Sequence, residues 1–346
     1  MPTIPHQALT DFCQNILTGA GIREDHAELA ATMLVAANLR GIDSHGVQLL
    51  GFYVDQILGG DMAPRAEGVV ASESGATMVY DCENGLGQAT SAHASDHAIR
   101  LARQYGLGAV TTREGNHFGA AFWWARRMAR QGMIGIVMCN ASPLVPPWQG
   151  REPRFGTNPI CVALPGEDSW LLDMATTTVA AGKIFKANIN GEATIPAGWA
   201  MDRAGVPTTD TQTALQGLLM PLGGYKGYGL AMMVELLTGV LSGGAFSTQV
   251  GSMRFRGRSP RLSHFFLAID IARFLPLDDF NRRAAELMTL MTSVPPAEGY
   301  REVLIAGEPE RRLEAERRAQ GIPIPAGNWQ TLGAAADRVG VARLES

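Results

Sequence analysis

At 346 residues with 46% hydrophobic side chains, the chain is long enough for about two domains and has ample material for a core. Its 29 Lys and Arg against 33 Asp and Glu give a formal net charge of -4, which argues against nucleic acid as a partner, because phosphate backbones need a concentrated basic face. The dense basic stretch at residues 310–318 carries acidic residues at helical spacing and reads as a solvated helix with internal ion pairs.

Between residues 6 and 39 apolar positions recur every three or four residues, which predicts two amphipathic helices divided by Gly19 and Gly21. No basic segment followed by an apolar run opens the sequence, so no secretion signal is expected. After the turn Ser44-His45-Gly46, residues 47–58 are expected to form a third helix, ended by Gly59 and Gly60. Residues 77–80 read as a strand and 88–104 as an alanine-rich helix. Strands at 108–112 and 134–140 flank a helix at 120–130, and 160–164 with 170–174 read as a hairpin around 165–168. Residues 187–213 dissolve into Gly, Pro, Thr and Asp and read as a long loop of the kind that usually has a function. A buried helix over 228–246 follows, with Glu235 and several glycines arguing against a membrane span. A strand at 264–270, a helix at 277–291 and a charged helix around Arg311 complete an alternating α/β body with a helical start and end. Cys13, Cys82, Cys139 and Cys161 lack CxxC spacing and read as reduced, buried thiols of a cytoplasmic protein.

Several motifs invite chemistry. Gly85-Leu-Gly87-Gln-Ala-Thr90 follows a strand and opens a helix as a dinucleotide fingerprint would, but Thr90 stands at its third glycine position and no run of parallel strands surrounds it. Close helix packing is the plainer use of those glycines. His93 and His97 lie four apart on a helix, without a glutamate between them or a third ligand nearby, so no metal is expected. His45 and His117 each sit in a glycine-bounded turn beside small polar residues, where an imidazole that titrates near neutral pH can reach a substrate. Ser142, Thr157 and Asn158 are candidate donors to a substrate oxygen on which negative charge develops.

The stretches Arg40-Gly-Ile-Asp-Ser44-His45-Gly46, Gly115-Asn-His117-Phe-Gly119, Phe155-Gly-Thr157-Asn158-Pro159, Leu172-Asp173-Met174-Ala175-Thr176-Thr177 and Gly224-Tyr225-Lys226-Gly-Tyr-Gly229 occur in this order. Together they resemble the malate/L-lactate dehydrogenase family of non-Rossmann NAD(P)-dependent oxidoreductases, which includes ureidoglycolate, sulfolactate, diketogulonate and cyclic-imino-acid reductases. The resemblance spans nearly the whole chain. It implies an α/β fold in which a mixed, largely antiparallel sheet with flanking helices, within residues 76–294, holds NAD or NADP and a small-molecule substrate. Residues 1–75 and 295–346 would pack together as a helical domain. His45 is implied as proton donor to the substrate carbonyl, with His117 in acid/base work or holding substrate and nicotinamide. Ser44, Asp173, Met174, Ala175 and Thr176 are implied to line the cofactor, Tyr225 and Lys226 to meet its ribose or phosphates, and Gly307 and Glu308 to return to it on a C-terminal loop.

Family active sites form at a subunit boundary, and the aromatic-rich cluster at 120–124 suggests a homodimer. Tyr53 matches a family aromatic and is implied among the substrate residues. Leu49, however, stands where many members carry an arginine that clamps the substrate carboxylate. Leu49 is therefore expected to face the pocket and to disfavour small 2-hydroxy acids, unless Arg40 or Lys183 takes the carboxylate. The reading that follows is hydride transfer between nicotinamide and a 2-hydroxy acid/2-oxo acid pair. Its alternatives are reduction of a cyclic imine or a bulkier, less charged carbonyl, and an inactive ligand-binding homologue.

Overall fold

The computed structural model describes residues 2–166 and 169–345. The hairpin turn expected at 165–168 therefore lies partly outside the described residues. A short strand β1 (Thr3–Ile4) precedes α1 (His6–Gly19) and α2 (Glu24–Leu39), whose periodic apolar positions are buried. Two 3-10 turns, Asp43–His45 and Val47–Leu49, come before α3 (Leu50–Leu58), so the third helix begins three residues later than its apolar pattern suggests. The delay has a local cause. Gly46 is extended, and the N–H of Val47 goes to Asn38 Oδ1 at 2.8 Å.

Next come β2 (Val69–Ser74), β3 (Thr77–Asp81), α4 (Gly87–Tyr105), β4 (Leu107–Arg113), α5 (Ala121–Ala129) and β5 (Met133–Cys139). They are followed by β6 (Ile160–Ala163), β7 (Leu171–Met174) and α6 (Ala181–Ile189). The segment expected to be a long loop contains β8 (Ala200–Met201) and β9 (Pro207–Thr208), and with α7 (Thr211–Gln216) and β10 (Leu218–Leu219) builds a small sheet of order β10-β8-β9. Its two-residue strands are too short for alternation to mark. The chain ends with α8 (Tyr225–Glu235), β11 (His264–Asp270), α9 (Leu277–Thr292), α10 (Glu308–Gln320), β12 (Ile322–Pro323) and α11 (Ala326–Arg338).

Seven strands form the main sheet in the order β2-β3-β4-β11-β5-β6-β7, antiparallel except for the β3–β4 pair. This is the mixed, largely antiparallel sheet that the sequence resemblance implies. On one face α4 and α5 bury Val110, Phe122, Trp124 and Phe266. Phe122 and Trp124 are 2% and 0% exposed, so the aromatic cluster expected at a subunit surface is internal core instead, with Trp124 Nε1 donating to Phe118 O. On the other face lies α8, whose Val234 packs with Met138 and Phe265. The segment read as a buried helix is buried on one side only, for Met232 and Leu236 are 41% and 48% exposed.

The two ends of the chain meet. β1 pairs with β12, and α1, α2, α3 and α11 share one apolar core. All four cysteines are buried and free.

Candidate functional site

A cavity of about 640 Å³ lies where the 3-10 turn after α2, the loop before α5, the ends of β5 and β7, the start of α6 and the start of α10 converge. His45 and His117 share one of its walls, their rings stacked at 5.5 Å and 29°.

The His45 turn is held from behind. Asn38 Nδ2 donates to Asp43 Oδ1 at 2.6 Å, and Arg317 of α10 pairs with Asp43 at 2.9 Å while also donating to Asn38 O. Gly46 is needed there because a Cβ would lie 2.2 Å from Asn38 Oδ1. Ser44 Oγ sits 2.9 Å from His45 Nδ1. Burial, and then the positive charge of Arg254, pushes the His45 imidazole down to about 4. His117 is pushed well below its ordinary value by burial and then by His45, His264 and Arg254. Its Nδ1 faces Tyr53 Oη at 2.8 Å.

On another wall Asp173 accepts the Phe122 N–H at 2.9 Å, and burial pushes its carboxyl up to about 6 against the opposing charge of Arg40. Arg40 is 5% exposed, bound to Glu314 at 3.0 Å and lying 5.0 Å over the Phe122 ring. The C-terminal loop is fastened to the edge strand by Leu171 N–H donating to Ala306 O at 3.1 Å.

The cavity brings together Arg40, Ser44, His45, His117, Thr157, Asp173, Met174, Ala175 and Gly307 of the residues expected from the sequence. The others lie elsewhere. Leu49 is 2% exposed in the apolar core of the helical unit, which corrects the expectation that it faces substrate. Tyr53 is likewise 0% exposed, and its hydroxyl is engaged by His117 and Gln88 rather than by a cavity. Asn158 is a strut: its Oδ1 accepts from Ala141 N–H, and its Nδ2 donates to Ala231 O and Glu235. Thr176 donates through N–H and Oγ1 to Thr157 O, fixing the wall from outside it. Ser142 lies next to the lining residue Ala141, Glu308 accepts from Ile305 N–H, and Tyr225 and Lys226 are exposed on the first turn of α8. Lys183, in α6, follows the lining residue Gly182.

His93 and His97 face different neighbours, His26 and Tyr80. Among the described residues no three His, Cys, Asp or Glu are placed to share a metal. The glycines of the 85–87 stretch serve close packing, for a Cβ on Gly87 would lie 2.3 Å from His117 O.

Two residues escape the sequence reading. Gln88 follows Gly87 and donates to Tyr53 Oη at 3.0 Å. Arg254 lies 4.9 Å over the Phe52 ring, in a loop whose flanking carbonyls, Met253 O and Phe255 O, accept from the fully buried Gln56 amide at 3.3 and 3.1 Å. Arginines recur at 254, 256, 258 and 261 and no motif singles out the first, so only the fold reveals it.

The cavity suits a nucleotide cofactor. Small residues, among them Gly119, Ala141, Ala180 and Gly182, leave its walls open, and α6 begins on it with no side chain capping its first N–H groups. Uncapped donors at the positive end of a helix dipole match phosphate oxygens.

A family model described as malate/L-lactate dehydrogenase matches residues 4–333. The malate dehydrogenase of Pyrococcus horikoshii is 38% identical over 350 residues, covering 99% of this chain and 96% of that protein. The NAD(+) ureidoglycolate dehydrogenase of Escherichia coli is 35% identical over 334 residues, covering 95% and 94%. Among solved structures, the sulfolactate dehydrogenase from Methanocaldococcus jannaschii superposes with a TM-score of 0.93 at 34% identity over 98% of each chain.

Proposed function

The chain belongs to the malate/L-lactate dehydrogenase family, and from that premise we propose how its residues serve an NAD(P)-dependent interconversion of a 2-hydroxy acid and a 2-oxo acid. The observation that carries the proposal is the stacked His45–His117 pair on the wall of a cavity onto which α6 opens uncapped.

When bound, the nicotinamide supplies or accepts the hydride. The first turn of α6 and the Ala306–Gly307 backbone, which the C-terminal loop presents through its tie to Leu171, would hold the cofactor's phosphates. Met174 and Ala175, which line the same cavity, would pack against the ring systems. His45 carries the proton at Nε2, giving it to the substrate oxygen in reduction and taking it from the hydroxyl in oxidation, while Nδ1 keeps its own proton, which Ser44 Oγ accepts in both states. Arg254, whose charge acts on both His45 and His117, holds the substrate carboxylate: Arg40 is already bound to Glu314, whereas Arg254 has no carboxylate partner among the described residues and is fixed by Phe52 and the Gln56-anchored loop. Phe118, Leu172, Leu304 and Ile305 exclude water from the reacting atoms.

The working unit is a homodimer. Its support is an unburied amphipathic helix, α9, whose Leu287, Leu290 and Met291 are each more than half exposed. Four free thiols accord with a reducing compartment, so we place the enzyme in the cytoplasm. Residues 76–294 supply most of the walls that hold cofactor and substrate, and the helical segments before and after them complete the cavity with Arg40, Ser44, His45 and the Ala306–Gly307 loop.

The test is a panel of 2-oxo acids, cyclic imines and uncharged ketones, each assayed with NADH and with NADPH. Turnover of one or more 2-oxo acids above the other two groups is expected. Turnover confined to imines or uncharged ketones would refute the acid substrate class.

A further inference from the structure

His117 ends a chain of hydrogen bonds whose directions are set by a donor that cannot turn round. The backbone N–H of Gly119 points at His117 Nδ1 at 3.3 Å, so that nitrogen is an acceptor and carries no proton. Tyr53 Oη lies 2.8 Å from the same nitrogen and therefore donates to it. The tyrosine oxygen in turn accepts from Gln88 Nε2 at 3.0 Å. Turning the Gln88 amide over would place its Oε1, which has no partner now, against the Tyr53 hydroxyl and draw away the proton directed at Nδ1. Both Tyr53 and Gln88 are 0% exposed, so no bulk water competes. Gly87 lets α4 begin against the His117 backbone, which brings Gln88 within reach of Tyr53.

With Nδ1 accepting twice, the ring proton sits on Nε2, the nitrogen left for the cavity that His117 lines. We infer that Tyr53 and Gln88 are positioning residues that hold His117 as the neutral Nε2–H tautomer, so that it binds the reacting oxygen as a hydrogen-bond donor and leaves proton transfer to His45. This rests on the oxidoreductase reading of the cavity. The charged and titratable groups facing His117 are His45, His264, Arg254 and Tyr53, none of which is a carboxylate that would favour an imidazolium. A neutral ring that gave up Nε2–H would need the Tyr53 proton at Nδ1, and burial holds that phenol far above its ordinary value. His45 differs in its partner. Its Nδ1 meets the Ser44 hydroxyl, which can accept an Nδ1–H, so Nε2 gains or loses a proton without that bond being lost.

The experiment is nitrogen NMR of the full chain, labelled in its histidine rings, between about pH 5 and 8, the window in which an ordinary histidine titrates. The expected spectrum has His117 neutral throughout, protonated at Nε2. In Tyr53→Phe the 2.8 Å bond is lost and only the longer 3.3 Å Gly119 N–H still favours that tautomer, so a second tautomer should grow in. Isosteric Gln88→Glu should turn the Tyr53 O–H toward the new carboxylate and move the His117 titration upward. Tyr53→Phe should also lower kcat by roughly 10- to 100-fold, as when a group fixing a working histidine's tautomer is lost, with the pH limb of kcat/KM unmoved. A proton on Nδ1, an imidazolium at neutral pH, or a limb that moves in Tyr53→Phe would each overturn the inference. The unsubstituted chain's spectrum decides the tautomer even where a variant fails to fold. Absence of turnover with every 2-oxo acid would count against the function reading, with the tautomer still read directly.

Discussion

The His45 and His117 rings stand 5.5 Å apart, and the separate roles proposed for them rest on their different partners. Replacing His45 by Ala should cut turnover by roughly a hundredfold or more, the usual loss for a general acid, while a fluorescence titration still shows NADH or NADPH binding. The pH dependence follows from the depressed imidazole. With a value of about 4 in the free protein, His45 is neutral at pH 7. So kcat/KM for hydroxy-acid oxidation, which needs a base, should rise with pH through that value and then level, whereas kcat/KM for reduction, which needs the protonated ring, should fall as pH climbs above it. A reductive profile rising toward neutral pH would assign the proton to another group. Leu49 yields the opposite lesson to the one its sequence position suggests. Its side chain is 2% exposed in apolar core, so Leu49→Arg buries an unpaired charge and should lower Tm by many degrees without improving any substrate. Arg254→Met, by contrast, should leave Tm nearly unchanged and raise KM for a 2-oxo acid by about tenfold or more, the scale of a lost charged hydrogen bond. An unchanged KM would move the carboxylate to Arg40.

At the scale of elements, the turn that carries His45 is held by α2 and α10 together. Asn38 at the end of α2 joins Asp43 and the Val47 N–H, and Arg317 of α10 closes on Asp43 and on the Asn38 carbonyl. Asn38→Ala leaves the buried Val47 N–H without its acceptor, which costs about 1–3 kcal/mol. It should also lower kcat, because the turn that carries His45 loses its inner brace. Thermal unfolding and steady-state rates on one preparation check both expectations; stability lost with kcat intact would mean the turn keeps its shape through Arg317 alone. α8 is braced differently, by the buried Glu235, which accepts from Asn158, Asn140 and the Ser247 N–H and ties the helix to the cavity floor.

For the whole molecule, β1 pairs with β12 away from the cavity, and the C-terminal loop that lines the cavity is hydrogen-bonded to β7. The apolar side of α9 is left uncovered in one chain. If a second copy covers it, light scattering of the unmodified protein gives twice the chain mass, and the double variant Leu287→Glu with Leu290→Glu gives a monomer. A monomer at the outset would refute the homodimer.

What the sequence settled by itself was local. Glycine-bounded turns around His45 and His117, apolar periodicity in α1 and α2, and the apolar run of β11 each show within a dozen residues, because the cause of each lies in neighbouring positions. The two-residue strands β8, β9 and β10 did not show, since nothing that short carries a period. Which way Leu49 points, and what Tyr53 touches, only the tertiary structure decided. Tyr53 meets His117 across 64 positions, and Gln56 holds Phe255 across 199. Such contacts depend on how separate helices and strands pack, so the same sequence pattern is compatible with a side chain turned toward substrate or buried behind the residue that meets it.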